Sequence, residues 1–260
     1  MESNQEWVTG KVQISLFGNP IEMEMTVPAQ PVKPTRMLPV FQAVTSSFVE
    51  LGVGAVESKG ETISCKAGCG ACCRQPVPLA EIEAFQISEL VENMPEPRRS
   101  EIKRRFAEGV KRFQDNKWFE RMESYAELNA KERQNLVMEY FFEGVACPFL
   151  ENESCSIHPN RPLSCREYLV TSPAENCSRP TADSIRQIKF KLRPSITLLE
   201  IVPSKNLGKS FFVPMIQALE HAGKYNDNSD EKTGEAWMAE FFRNLMNAKI
   251  PSAEAKAESV

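Results

Sequence analysis

Four of the chain's eight cysteines fall within the nine residues "CKAGCGACC", as Cys65, Cys69, Cys72 and Cys73. The other four, Cys147, Cys155, Cys165 and Cys177, lie in "CPFLENESCSIHPNRPLSCREYLVTSPAENC". Thiolates at such short spacings converge on one metal centre. Ala67, Gly68, Gly70 and Ala71 keep the first turn uncrowded, and glycine exposes N–H groups that can bond to sulfur. The second group reads C-x7-C-x2-H, with Cys165 ten residues after Cys155 and Cys177 twelve after that. Pro148, Pro159, Pro162 and Pro173 keep its backbone irregular, as a ligand-bearing loop requires.

The doublet Cys72-Cys73 bears on the kind of centre. Adjacent residues project their side chains apart, so both do not readily bind one tetrahedral zinc. The doublet suits a polynuclear cluster, or two neighbouring centres shared between the groups. All-cysteine ligation favours an iron–sulfur cluster, and zinc is the alternative because four-cysteine sites are standard for it. Cys177 lies outside the tighter spacing and is the weakest member of the set, since a free buried thiol there would be ordinary. Disulfides fit poorly. The N-terminus "MESNQEWVTGKVQISLFG" has no signal-peptide pattern, no run of eighteen apolar residues suggests a membrane span, and the expected location is the cytoplasm, where thiols stay reduced.

Other residues carry weaker signals. His158, three residues after Cys155, could be a ligand, but reads rather as a donor behind the ligands or a surface residue. Arg74, Arg161 and Arg166 flank the cysteines, where guanidinium groups either balance an anionic centre, grip an anionic substrate or bond to loop carbonyls. Eight basic residues stand between Arg98 and Lys117 against three acidic ones. With no interleaved aromatics on the polar face, that reads as a solvated helix face. The net charge of −4 gives no reason to expect nucleic acid. "GVGAVESKG" lacks the dinucleotide-binding frame, and no H-e-x-x-H or G-x-S-x-G pattern occurs.

Mainly helical elements must position these loops. Residues 8–16 and 21–27 alternate around "FGNP" and predict a β-hairpin. "PAQPVKP" is a connector, followed by a helix from about 35 to 56 with Pro39 near its first turn. Further helices are expected within 78–94, over 97–114 with Ile102, Phe106, Val110 and Phe113 on one stripe, and over 120–143 with Leu128, Leu136, Met138 and Phe142 in the core. "IRQIKFKL" and "ITLLEIV" read as strands about Arg193-Pro194, with helix the competing reading. "VPMIQALEHAGKY" and "GEAWMAEFFRNLMNAK" are expected helices, and "SAEAKAESV" a frayed tail. The expected fold is mainly α with a few short strands (α+β) around an irregular cysteine-rich core. Residues 1–34 form a hairpin and connector, 35–180 the cysteine domain, and 181–260 an extension packed on it.

"CGACCR" at 69–74, "CPFL" at 147–150, "CSIHPNRPLSCREY" at 155–168 and the later Cys177 resemble the YkgJ-type CxxCxxCC proteins, to which zinc or iron chelation is attributed. The resemblance covers roughly residues 62–180. It implies that Cys65, Cys69, Cys72, Cys73, Cys147, Cys155 and Cys165 are metal ligands. The chain departs from the pattern in its first gap of three residues and in His158, where tyrosine is common in the family. The expected function is a cytoplasmic metal-binding protein, with an unidentified protein partner and no membrane. The alternatives are a cluster-dependent enzyme, by analogy with the flagellin lysine N-methylase, and a zinc-stapled interaction module.

Overall fold

The computed structural model describes residues 6–16, 19–181, 183–207 and 210–247. Strands β1 (Trp7–Leu16) and β2 (Asn19–Pro28) form the expected antiparallel hairpin, with Val8 opposite Val27 and Ile14 opposite Ile21. Period-two alternation puts Val8, Val12, Ile14, Met23, Met25 and Val27 on the core-facing side. Phe17 and Gly18 of the connector lie outside the described residues.

The chain then makes a 3-10 turn, Pro34–Met37, and helix α1 (Leu38–Glu57). Pro39 stands in its first turn, where a missing N–H breaks no helical bond. The span Pro34–Glu57 has the length and composition of a membrane-crossing helix. Counting unbroken apolar runs overlooks it because Thr45, Ser46, Ser47 and Glu50 interrupt the run. In the fold, Leu38, Phe41, Val44 and Phe48 are buried against the hairpin and the C-terminal helices.

Strand β3 (Pro78–Leu79) leads into α2 (Glu81–Glu92) and α3 (Arg98–Asp115), whose Ile102, Phe106 and Phe113 are buried as the stripe predicts. The expected single helix over 120–143 is instead α4 (Trp118–Met122), a 3-10 turn (Tyr125–Glu127) and α5 (Ala130–Phe142). A capping box restarts the chain: Asn129 accepts from the N–H groups of Lys131 and Glu132 at 3.0 Å, and Glu132 accepts from Asn129 N–H at 2.8 Å. Restarting there also changes the buried face. Phe142 is 68% exposed, while Tyr140 and Phe141 are buried with Leu136. The Tyr140 ring stacks on Phe113, centroids 4.0 Å apart.

Hairpin strands β4 (Leu150–Glu151) and β5 (Ser154–Cys155) and the short α6 (Leu163–Glu167) carry much of the second cysteine group. "ITLLEIV" is helix α7 (Pro194–Ile201), not a strand. Pro194 sits in its first turn, Ser195 N–H donates to Glu167 Oε1 at 2.7 Å, and Leu198 and Ile201 are buried. "IRQIKFKL" is no regular strand either. It lies alongside 169–171 through an isolated Val170–Gln187 bridge, with Ile188 N–H bonded to Leu169 O at 2.8 Å. Val213–Pro214, expected to begin a helix, is strand β6, paired with β3; a 3-10 turn and α8 (Ala218–Lys224) follow. Helix α9 (Gly234–Asn247) buries Trp237, Phe241 and Leu245. Ala248, Lys249 and the 252–260 tail lie outside the described residues. The fold is thus mainly α with a few short strands.

Two buried carboxylates tie these elements together behind the cysteines. Glu83 accepts from Ala80 N–H and, 80 residues away, Leu163 N–H, both at 2.9 Å. Burial pushes its carboxyl up to about 7, against two N–H donors that pull it down. Glu167 accepts from Ser195 N–H and Oγ–H at 2.7 Å and from Arg193 Nε at 2.8 Å.

Glu167→Ala leaves buried Ser195 donors unpaired and should cost about 3 kcal/mol in denaturant unfolding; a loss under about 0.5 kcal/mol would remove Glu167 as a strut. For Glu83 the folded pKa lies above the unfolded value. Its contribution is therefore full below about pH 4.5 and is lost as pH rises through about 7, by up to about 3 kcal/mol. Melting wild type and Glu83→Gln at pH 5 and pH 8 should show the wild type losing ground to the variant with rising pH. A constant difference would contradict the raised carboxyl.

Candidate metal centre

The first cysteine group is shaped by glycine and local hydrogen bonds. Ser64 N–H donates to Val170 O at 3.0 Å, laying the segment before Cys65 against the second group. Gly68 turns the chain with φ +81°, and Cys69 N–H closes onto Lys66 O at 3.1 Å. A 3-10 turn, Ala71–Arg74, then carries the doublet. Cys147 N–H donates to Cys73 O at 2.7 Å, which joins the two groups through their main chains.

In the second group, Asn152 and Glu153 both take positive φ, 50° and 56°, and so close the β4–β5 hairpin and set Cys155 opposite Leu150. Cys165 lies in α6. Cys177 lies in a 3-10 turn, Ala174–Ser178, that packs against the turn bearing Cys72 and Cys73.

All eight cysteines line one cavity of about 890 Å³. They are free thiols, seven part-exposed and Cys177 buried. Cys65 and Cys69 pack with Cys177 around Ala71 and Val170, whereas Cys147 and Cys155 pack beside Phe149 and Ile157. The turn bearing the doublet touches both sides, through Cys73 O to Cys147 N–H and through its packing on the Cys177 turn. The Cys72 thiol is pushed far above its ordinary pKa by its hydrogen bond with Cys73, then by burial. Burial pushes Cys147 up to about 12 and Cys177 up to about 11, with Cys72 adding to both. Cys65, Cys155 and Cys165 are raised by burial as well. These thiols keep their protons at neutral pH, so a metal must displace protons to bind.

Among the described residues, no three Cys, His, Asp or Glu side chains already form a metal-holding group. The thiols line the cavity as separate groups. Their chemistry fits zinc or iron, both of which take cysteine sulfur. One cation fits the same picture: Arg161 lines the cavity and its Nε is buried without a hydrogen-bond partner.

Of the other sequence candidates, His158 lines the cavity but is exposed, its ring held below the usual pKa first by the Arg161 charge, then by burial. Arg74 donates to Glu153 Oε1 at 2.8 Å and to Gly70 O at 3.0 Å, bracing the two loops. Arg166 donates to Arg161 O, Pro159 O and Ser46 Oγ, a loop-shaping role. On α3, Arg99, Lys103, Arg104, Arg105 and Arg112 all pair with carboxylates, as expected of a solvated face. His221 Nε2 meets Glu81 Oε1 at 2.6 Å and ties α8 to α2.

Sequence reasoning missed the apolar part of the cavity lining. Tyr125, Ile196, Leu199, Phe211, Phe212 and Met215 line it. Their apolar type was visible, but nothing in their spacing announced that they would meet the cysteines.

Residues 64–186, just under half of the chain, match the CxxCxxCC family, described as a "Putative zinc- or iron-chelating domain". No curated protein and no solved structure matches the chain.

His158→Ala should leave metal per chain, measured by elemental analysis after anaerobic purification, equal to wild type. Loss of the metal would make His158 a ligand.

Proposed function

From the match of residues 64–186 to the CxxCxxCC family, we propose that this chain is a cytoplasmic metal-binding protein whose cysteines hold an iron–sulfur cluster, with zinc as the alternative. One observation carries the reading: cysteines spread from residue 65 to residue 177 all line the same cavity. A shared ligand gives that convergence of soft donors a purpose, because the chain already builds two large apolar clusters without any cysteine.

The doublet is where the two groups meet. Cys65, Cys69 and Cys177 pack on one side, and Cys147 and Cys155 on the other. Cys147 N–H donates to Cys73 O at 2.7 Å, and the turn carrying Cys177 packs on the turn carrying the doublet. One member of the doublet serving each side accounts for adjacent cysteines better than a lone zinc does. When bound, iron–sulfur supplies electron transfer, redox sensing or support for a reaction. The protein's share is to supply deprotonated sulfur and to hold the two loops together.

The apolar wall of Tyr125, Ile196, Phe211 and Phe212 supports a second reading. A cavity of about 890 Å³ with aromatic lining has the size and character of a site for an organic molecule. A cluster-dependent transferase resembling a lysine N-methylase would use that space, and binding of a nucleoside cofactor such as S-adenosylmethionine tests it. A zinc-stapled module docking an unidentified protein is the remaining reading.

Anaerobic purification with an absorption spectrum and assays for iron, zinc and acid-labile sulfide separates these. The expected result is a broad band near ~400 nm with iron and sulfide; a colourless protein with stoichiometric zinc would replace the cluster by a structural ion. Cys72→Ala and Cys73→Ala should each lose most of the metal. Full metal content in both would remove the doublet from the ligand set.

A further inference from the structure

Of the three arginines that line the cavity, two are already engaged. Arg193 pairs with Glu167 at 2.8 Å. Arg133 donates to the carbonyls of Tyr125 and Ala126 and lies 5.1 Å over the Tyr125 ring. Arg161 differs. Its main chain is held by neighbours, with Arg161 O accepting from Arg166 Nε at 3.0 Å, yet its guanidinium meets no carboxylate among the described residues and its Nε is buried without an acceptor. Both carboxylates lining the cavity are taken, Glu153 by Arg74 and Glu167 by Arg193 and Ser195. Lys66 also lines the cavity, but it is exposed to water.

Arg161 is half-buried, and its buried Nε–H without an acceptor is costly unless an anion completes it. The groups here that can become anionic are the thiols. The positive charge of Arg161 acts on Cys65 in the first group, on Cys72 in the doublet and on Cys155 in the second group, so it reaches both sides of the cavity. Four thiolates on one divalent ion leave a net negative charge. Placing that charge in a part-buried site calls for a nearby cation.

We infer that Arg161 is the internal counter-cation of the cysteine centre, balancing the charge of its thiolates when metal is bound. The inference rests on the metal-binding reading above. It assigns Arg161 a charge-balancing role from the cavity lining, and it separates Arg161 from Arg74 and Arg166, which hold loops.

The test titrates the reduced, metal-free full chain with zinc(II), and separately with iron(II), against a competing chromophoric chelator. Arg161→Gln should bind about 10–100-fold more weakly than wild type, the usual cost of removing a group that supports metal ligands. Arg161→Lys should recover most of that loss, because it keeps the charge. Arg161→Met, which keeps the apolar stem, is a second neutral variant should Gln fail to fold, and it should weaken binding similarly. Thermal melting of the metal-free variants supplies the structural control. A merely structural Arg161 would lower the melting temperature and leave affinity intact. Equal affinity in wild type and a folded neutral variant, or equal loss in Lys and Gln, overturns the role of Arg161. A wild-type chain that binds neither metal overturns the metal reading and this inference with it.

Discussion

The two cysteine groups meet where the first loop packs Gly70 against the β4–β5 hairpin. A Cβ there would fall 2.6 Å from Leu150 Cδ1 and 2.7 Å from Glu153 Oε2. The bare backbone lets the first loop rest directly on the β4–β5 hairpin. Two residues on, the turn carrying Cys72 and Cys73 accepts the N–H of Cys147, and Arg74 reaches across to Glu153. Loops more than seventy residues apart in sequence are thereby locked at one seam. Their thiols can then face a common space, as a shared metal centre requires.

That seam is supported from behind by buried carboxylates. Glu83 joins the start of α2 to the start of α6, and Glu167 joins the end of α6 to the start of α7. Burying a carboxylate is unfavourable unless its oxygens are filled with donors; Glu167 has three donors, whereas the two N–H groups on Glu83 offset its burial only in part. Each bond acts at a helix end, where main-chain N–H groups lack partners of their own. Cys165 sits between these two anchors, so its direction is set by α2 and α7 as much as by its own short helix. The Glu81–His221 contact uses similar chemistry to tie α2 to α8, beside Asn206.

The electrostatics of the cavity follow from its burial. Apolar neighbours such as Phe149, Ile157 and Val170 raise the thiols and make them poor acids in the absence of a cation. A metal reverses that balance by stabilising thiolate directly. Arg161 works in the same direction from the cavity wall, whereas the many cations of α3 are spent on surface pairs with Glu92, Glu101 and Glu143.

What the sequence determined was set by local rules. Thiol spacing pointed to a metal, the apolar stripe of Ile102, Phe106 and Phe113 predicted α3, and alternation predicted the β1–β2 hairpin. These signals live within a few residues, where spacing dictates which side chains share a face. Even the break in the 120–143 segment was written locally, in the capping box that opens at Asn129. Only tertiary structure decided the rest. "ITLLEIV" has β-branched residues suited to a strand, but Pro194 and the distant Glu167 start it as a helix. Cys177 looked peripheral by spacing and is packed with Cys65 and Cys69, because the turn carrying it docks on the doublet. Arg74, Arg161 and Arg166 looked alike in sequence. Which of them meets an acceptor depends on Glu153, Ser46 and loop carbonyls brought in from elsewhere, and a pairing energy between distant residues leaves no trace in the spacing of either one.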